Sequence, residues 1–350
     1  MLDRLPPELL LPIIRLVAPL DVGGTWSDRP RRRTLRALCL VSKQLCAIAQ
    51  PLLPEVFAAR GSEAVEVLKK RRNGRPIGEQ VKRLLVAAST NEPDSGNWAA
   101  EVYRACPSVV DLRLRGPRMV NLKLVATSCP GLEYLSIRFS ALLLPSMPIF
   151  PALVHLSIDD LHIVPTALEK VLTPASLPSL RSLGLGLCRE LNGNTFLPSV
   201  SPALAHRLES IVVSNHLEDG LTALSPFSTI LGVLNSIRHL CNYLDNSPPP
   251  FPITHLHVHG VESLPVNLLP RFLAFLDHCP SLRLLELFTL TRPHKLRPGP
   301  RKDAIDAFVN ECTRRGIGIL WSEPVDLGAN MLVSPEFAEW LEEERERLAA

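Results

Sequence analysis

The apolar positions of this chain fall into a phrase that recurs along most of its length: Cys, Phe or Leu, then Pro, one further residue, and an L-x-x-L-x-L pattern. It reads CPSVVDLRL at 106–114, CPGLEYLSI at 129–137, FPALVHLSI at 150–158, LPSLRSLGL at 177–185, FPITHLHV at 251–258 and CPSLRLLEL at 279–287. Weaker copies stand at 81–86 (VKRLLV) and 207–213 (RLESIVV), with a terminal version at 315–320 (RGIGIL). The alternation that closes each phrase predicts a short strand with one face buried. Between phrases the apolar residues often take helical spacing, as Leu268, Phe272, Phe275 and Leu276 do ahead of Cys279. The Pro of the next phrase ends that helix and admits the strand.

The middle apolar position falls at Leu84, Leu112, Leu135, Leu156, Leu183, Ile211, Leu256 and Leu285, in steps of 28, 23, 21, 27, 28, 45 and 29 residues. One strand-plus-helix unit of that size cannot bury its apolar face alone, so neighbours must stack around a continuous Leu core. The long step holds a degenerate unit, an insertion or both; within it Phe227 to Leu244 reads as a helix ahead of a PPP turn.

The opening is patterned differently. In LPPELLLPIIRLVAPL (5–20), Pro6 and Pro7 suit a helix start and Leu9, Ile13 and Leu16 share a face, while Pro12 should kink the helix. After an interruption at 21–33, TLRALCLVSKQLCAIAQPLLPEVF (34–57) puts Leu38, Val41, Leu45 and Ile48 on one helical stripe that Pro51 ends.

Composition narrows the class. With 350 residues, 46% hydrophobic and 21% charged, the chain is expected to fold. Low aromatic content (5%) beside abundant Leu and 33 Pro fits many short elements and regular turns. A net charge of +3 gives no argument for nucleic acid. The 8 cysteines show neither a CxxC pair nor zinc-site spacing, and Cys106, Cys129 and Cys279 share one repeat position before Pro, as in a reduced intracellular protein. Asp3, Arg4, Glu8, Pro12 and Arg15 break up the first apolar stretch, and no run of apolar residues is long enough for a bilayer, so neither a signal peptide nor a membrane span is expected.

The two halves of the N-terminal segment resemble an F-box. The matching residues are Leu5-Pro6 with Glu8-Leu9, the Ile13-Ile14 pair, Leu40-Val41-Ser42-Lys43, and the following Pro51-Leu52-Leu53, a run similar to that in F-box proteins carrying leucine-rich repeats. Leu45 stands where the family often has Trp, and the interruption at 21–33 is longer than in compact members. The spacing of the repeated phrase falls in or near the range of leucine-rich repeats. Together these imply an α/β solenoid: a three-helix module over 1–57, a connecting helical segment over 58–80, a leucine-rich-repeat horseshoe over 81–333 with parallel strands on its concave face and helices outside, and an acidic terminal helix over 334–350. The resemblance further implies docking on the Skp-type adaptor of a cullin–RING ubiquitin ligase through Leu5, Pro6, Leu9, Ile13, Leu38, Val41, Ser42 and Leu45, or helix packing behind that contact. The alternative is that these residues form an N-terminal cap of the kind solenoids need.

In such repeats the residues flanking the inner Leu positions face the concave side. That floor carries Arg113, Tyr134, Arg138, His155, Asp159, His255, His257, His259 and Glu286 as candidates for target contact, with Asp111, Arg115, Ser136 and Ser157 among their neighbours. His255, His257 and His259 share one strand face and invite a metal. Same-face neighbours are about 6.5–7 Å apart, however, too far to meet one ion at about 2 Å without a bend or outside ligands. No metal and no cofactor are expected. No G-x-S-x-G, no Cys beside a recognisable His motif and no phosphate-cradling loop appears. Two basic clusters, Arg29–Arg33 and Lys69–Arg72, read as solvated loop and helix surface, with nuclear import or acid-patch contact as the alternative.

The expectation is a non-catalytic substrate receptor, cytoplasmic or nuclear, that binds the adaptor at one end and an unknown target protein along its repeats, with no nucleic acid and no membrane partner. The rivals are a leucine-rich-repeat scaffold with no ligase link, and a metal-dependent activity at the three histidines.

Overall fold

The middle leucines of the phrase lie side by side. A computed structural model of the chain describes residues 5–18, 20, 29–72, 74–87, 95–116, 120–138, 141–142, 147–159, 161–163, 172–185, 188–189, 195–196, 204, 207–208, 210–213, 230–234, 254–261, 266–289 and 297–322. It is a mixed α/β protein whose main-sheet strands pair in parallel, with short antiparallel pairs at Arg71–Arg72/Arg75–Pro76 and Cys188–Arg189/Thr195–Phe196, and the chain divides into two units that meet in sequence between Leu153 and Val154.

The first unit opens with helices α1 (Pro7–Val17), α2 (Arg29–Val41) and α3 (Lys43–Ala49) and a 3₁₀ segment, Gln50–Glu55. Leu10, Ile14, Ala18, Leu35, Leu45, Ala49 and Leu52 form their common core. Helix α1 runs through Pro12 to Val17. The predicted single stripe over 38–48 is cut in two. Ser42 takes an extended conformation (φ −156°, ψ 160°), and its hydroxyl accepts from the Leu45 amide to cap α3. As a result Leu45 is buried while Val41 is exposed.

A parallel sheet follows at once. Its strands are β1 (Val56–Ala59), β2 (Arg83–Ala87), β3 (Asp111–Arg115) and β4 (Tyr134–Arg138), in that order. The sheet thus begins across the junction of the segments read from sequence as the helical module (1–57) and the connector (58–80), because Val56–Ala59 pairs with Arg83–Val86. Helices α4 (Glu63–Lys69), α5 (Ser95–Ala105) and α6 (Leu122–Ser128) connect the strands. In the register Leu84, Leu112 and Leu135 are partners, and each is fully buried.

The second unit repeats the scheme with β5 (His155–Asp159), β6 (Ser182–Leu185), β7 (Ser210–Val213), β8 (Ile230–Leu234), β9 (His255–Val261), β10 (Leu284–Thr289) and β11 (Gly318–Ser322). Here Leu156, Leu183, Ile211, Leu231, Leu256, Leu285 and Ile319 form one file of register partners. The 45-residue step therefore holds one further strand. Ile230–Leu234 is strand where the sequence reading placed the start of a helix: a short continuous apolar run fits a strand buried on both faces as well as a helix, and pairing with both neighbours decides it. The remainder of 235–250 and the terminal segment 334–350 lie outside the described residues. Helices α7 (Leu269–Asp277) and α8 (Pro300–Arg314) pack on each other through Phe272 and Phe308, whose ring centroids are 5.8 Å apart.

The Pro of the phrase has a fixed task. Amides of Val109, Leu132, Leu153, Leu180 and Leu282 donate to the carbonyls of Cys106, Cys129, Phe150, Leu177 and Cys279, closing the same four-residue turn with Pro at its second position. Four of the strands that follow start on a shared carbonyl. Lys82 O accepts from Val110 and Asp111, Val110 O from Glu133 and Tyr134, Val154 O from Arg181 and Ser182, and Thr254 O from Arg283 and Leu284.

The end of α5 approaches the 3₁₀ turn Gly78–Gln80 closely. A Cβ on Gly78 would stand 2.1 Å from the Ala105 carbonyl oxygen, whereas one on Gly131 would meet nothing within 4 Å. Gly78→Ala is expected to cost about 1–3 kcal/mol through this backbone clash. Gly131→Ala should leave the urea midpoint within about 0.5 kcal/mol of wild type.

Candidate functional site

Two surfaces collect the residues singled out from sequence. The first is the outer side of the N-terminal helices. On α1, Leu9, Ile13, Leu16 and Val17 follow helical spacing on a stripe beside the buried Leu10–Ile14 stripe, and all four are exposed. Leu40 and Val41, at the end of α2, are 88% and 67% exposed. Among the described residues the other exposed large hydrophobics are Val67 and Ile149 alone, so the exposed apolar surface is concentrated in this module. Of the predicted docking residues, Pro6, Leu9, Ile13 and Val41 are exposed, Leu5, Leu38 and Ser42 are half-buried, and Leu45 is in the helical core. The Gln44 side chain donates to the Leu5 carbonyl (2.8 Å), tying the start of the segment to α3.

The module is fastened to the sheet by residues that the sequence reading placed on solvated surface. Arg31, 8% exposed, donates to the Leu52 carbonyl (3.1 Å) and pairs with the Glu55 carboxylate. Arg32 donates to the Val56 carbonyl on the edge strand (2.7 Å). Burial pushes the Glu55 carboxyl above the usual carboxylate range, and Arg31 and Arg15 pull it back. Arginines in the first turn of a helix oppose its dipole, which these contacts offset. Lys69, by contrast, is exposed and pairs with Glu66 and Glu101 on the surface.

The second surface is the polar face of the strands. In the first unit it carries Arg83 on β2, Asp111, Arg113 and Arg115 on β3, and Tyr134, Ser136 and Arg138 on β4. Asp111 is fully buried and bound from both sides: Arg83 Nε donates to Oδ2 (3.1 Å), and Arg113 donates through Nε to Oδ1 (3.1 Å) and through a terminal nitrogen to Oδ2 (3.2 Å). The Arg113 guanidinium also lies 5.3 Å from the centre of the Tyr134 ring. Arg113 and Tyr134 are therefore structural supports of the face, the guanidinium held by Asp111 and lying near the Tyr134 ring. Exposure returns at the strand ends, where Arg115 is exposed and Arg138 half-buried. Arg83 was legible as a partner, since Arg83 and Asp111 both stand directly before the middle Leu of their phrases.

In the second unit His155 is half-buried, His255 and Glu286 are buried, and Thr254 Oγ1 lies 2.7 Å from His255 Nδ1. His257 and Glu286 are register partners. The side chains of Asp159, His257 and His259 lie outside the described residues. Among the described residues no group of three His, Cys, Asp or Glu is placed to hold a metal.

The repeat-position thiols are sealed. Burial pushes Cys106, Cys129 and Cys279 up to about 12, and the Cys129 thiol donates to the Cys106 carbonyl of the preceding repeat (3.6 Å). Such thiols pack and do not react. No helix among the described residues is long and apolar enough to cross a membrane.

No family model matches the chain, and no curated protein matches it. Among solved structures it is similar to the crystal structure of a protein from Bacteroides fragilis, at 12% identity and a TM-score of 0.41, over 85% of this chain and 84% of that one. A likeness that slight carries no argument about function.

Asp111→Asn keeps the shape of the side chain but strips the charge between Arg83 and Arg113. Breaking a buried ion network from one side costs about 3–5 kcal/mol. The urea unfolding midpoint should fall accordingly, and a loss below about 1 kcal/mol would mean that the network contributes no more than an exposed ion pair does.

Proposed function

We propose that this chain is the substrate-recognition subunit of an SCF-type ubiquitin ligase: an F-box module that docks on the Skp-type adaptor, followed by a leucine-rich-repeat horseshoe that holds a target protein. The exposed apolar stripe of α1 (Leu9, Ile13, Leu16 and Val17), with Leu40 and Val41 at the end of α2, is the observation that carries this reading. A module serving only as a cap would turn these residues onto the first repeat. Here the inner stripe (Leu10, Ile14) fills the module's own core, and the outer one remains for a partner. An apolar groove on the adaptor is its natural complement, because fully desolvated anchors carry most of the affinity of such contacts.

The horseshoe reading is supported by the file of register partners, by the recurring Pro turn and by strand starts that share one carbonyl. The receptor has no chemistry of its own to perform. It raises the effective concentration of a target lysine near the ubiquitin-loading subunits. A repeat scaffold without ligase partners is the rival reading, and the adaptor contact separates the two.

The test is co-purification with a Skp-type adaptor, wild type beside a Leu9→Asp/Val41→Asp variant. Both positions are exposed, so the variant should keep its helical circular dichroism. Loss of two hot-spot contacts should weaken adaptor binding by at least about 100-fold. Wild-type protein that is folded and ignores the adaptor would leave a scaffold with no ligase link.

A further inference from the structure

The antiparallel hairpin Arg71–Arg72/Arg75–Pro76 carries a run of cations on a fixed backbone. Its turn falls at Asn73-Gly74, a strong hairpin pair in sequence, and Gly74 takes the left-handed conformation such a turn needs (φ 78°). Lys70 is extended and continues the first strand, and its carbonyl accepts from the Ile77 amide (2.9 Å). Arg72 and Arg75 are register partners and so share a face. The two-residue period of a strand puts Lys70 on that face and Arg71 on the other. Lys70, Arg71 and Arg75 are exposed and Arg72 is half-buried. Lys69, directly before them, is paired with Glu66 and Glu101, whereas none of Lys70, Arg71, Arg72 and Arg75 forms an ion pair among the described residues.

Like charges directly opposite each other cost a hairpin stability, and the backbone is held against that cost. The Gln80 side-chain amide donates to the carbonyls of Arg72 (3.2 Å), Arg75 (3.4 Å) and Pro76 (3.2 Å). Gln80 in turn belongs to the 3₁₀ turn that lies against the Ala105 carbonyl at the end of α5.

We infer that this hairpin is a docking site for an anionic polypeptide segment, Glu/Asp-rich or phosphorylated, with Lys70 and Arg75 as its outer contacts and Arg72 beside them. Guanidinium groups bind carboxylate and phosphate oxygens through paired N–H donors, and the ammonium adds a point charge. An anion seated there relieves the repulsion between the partners, and a backbone already fixed loses less on binding. Carboxylates bound the patch, Glu66 and Glu101 around Lys69 and the exposed Glu79 on the 3₁₀ turn, so it suits a short segment. Nucleic acid fits less well, because its closely spaced phosphates call for an extended basic stripe. The site stands independently of the receptor reading above.

Fluorescence anisotropy on the full chain tests it with short labelled Gly/Ser peptides carrying glutamates, phosphoserines or, as the neutral control, glutamines, and with a single-stranded oligothymidylate. Lys70→Ser/Arg75→Ser removes the outer contacts, and Gln80→Ala keeps every charge but releases the hairpin backbone. Lys123→Ser/Arg301→Ser is the charge-matched control, at exposed positions on α6 and α8. Circular dichroism is recorded on each. Wild type should bind the anionic peptides over the neutral one, and the better of the two identifies the anion. The contact variant should lose about tenfold or more, Gln80→Ala about fivefold, and the control about twofold at most. The site is refuted if wild type shows no preference for charge, if the control loses as much as the contact variant, or if the oligonucleotide binds more tightly than either anionic peptide. Folded Gln80→Ala that binds as wild type does would also overturn it, leaving diffuse charge in place of a held hairpin. Should Gln80→Ala unfold, the exposed pair alone decides.

Discussion

Everything in this protein depends on parallel strands being held in one register by their middle leucines. A strand of five residues with a single buried face has no stability alone, and each gains it from the next. Leu84, Leu112 and Leu135 in the first unit, and the file from Leu156 to Ile319 in the second, are where that gain is made. Burying each such Leu contributes about 1.5–3 kcal/mol before the entropy of ordering is subtracted. The Pro turn sets the point at which each strand enters the sheet, so the register is renewed at every phrase and errors do not accumulate.

The same constraint builds the polar face. Once Leu84 and Leu112 are partners, the residues before them must be partners too, and Arg83 falls beside Asp111 whatever its own preference. The row that follows puts Arg115 against Arg138. A core requirement thus places a buried ion network at the starts of these strands. The edge of the sheet is handled differently. Val56 offers a carbonyl that Arg32 takes up, while Arg31 and Glu55 lock the helices to the strand. In the proposed receptor this joint has a function, because helices that dock an adaptor and strands that hold a target must keep a fixed distance for proximity to work.

Much of this was legible in the sequence, and what was missed has physical reasons. The phrase located the middle leucines correctly, including the weak copies at 81–86 and 207–213, since period-two burial leaves a direct trace. The strand at Ile230–Leu234 carried no Pro turn to announce it, and its unbroken apolar run was open to either reading. Val56–Ala59 lacked the phrase altogether and is a strand because β2 offers it an edge. The break at Ser42 was hidden because Val41 and Leu45 are spaced as on one helix, and only the cap separates them. Arg31 illustrates the same limit: a basic run looks solvated until a half-buried carboxylate from elsewhere in the chain meets it. For the polar-face candidates depth was not legible, and Arg113, Tyr134, His255 and Glu286 are buried while Arg115 is exposed.

In the proposed receptor α1 and α2 present a partner surface while the sheet beside them stays as it is. Hydrogen exchange read by mass spectrometry, on the chain alone and with a Skp-type adaptor, addresses it most directly. New protection is expected in Pro7–Val17 and Arg29–Val41, with Asp111–Arg115 and Tyr134–Arg138 unchanged. Unchanged helices, or protection spread evenly through the strands, would contradict it.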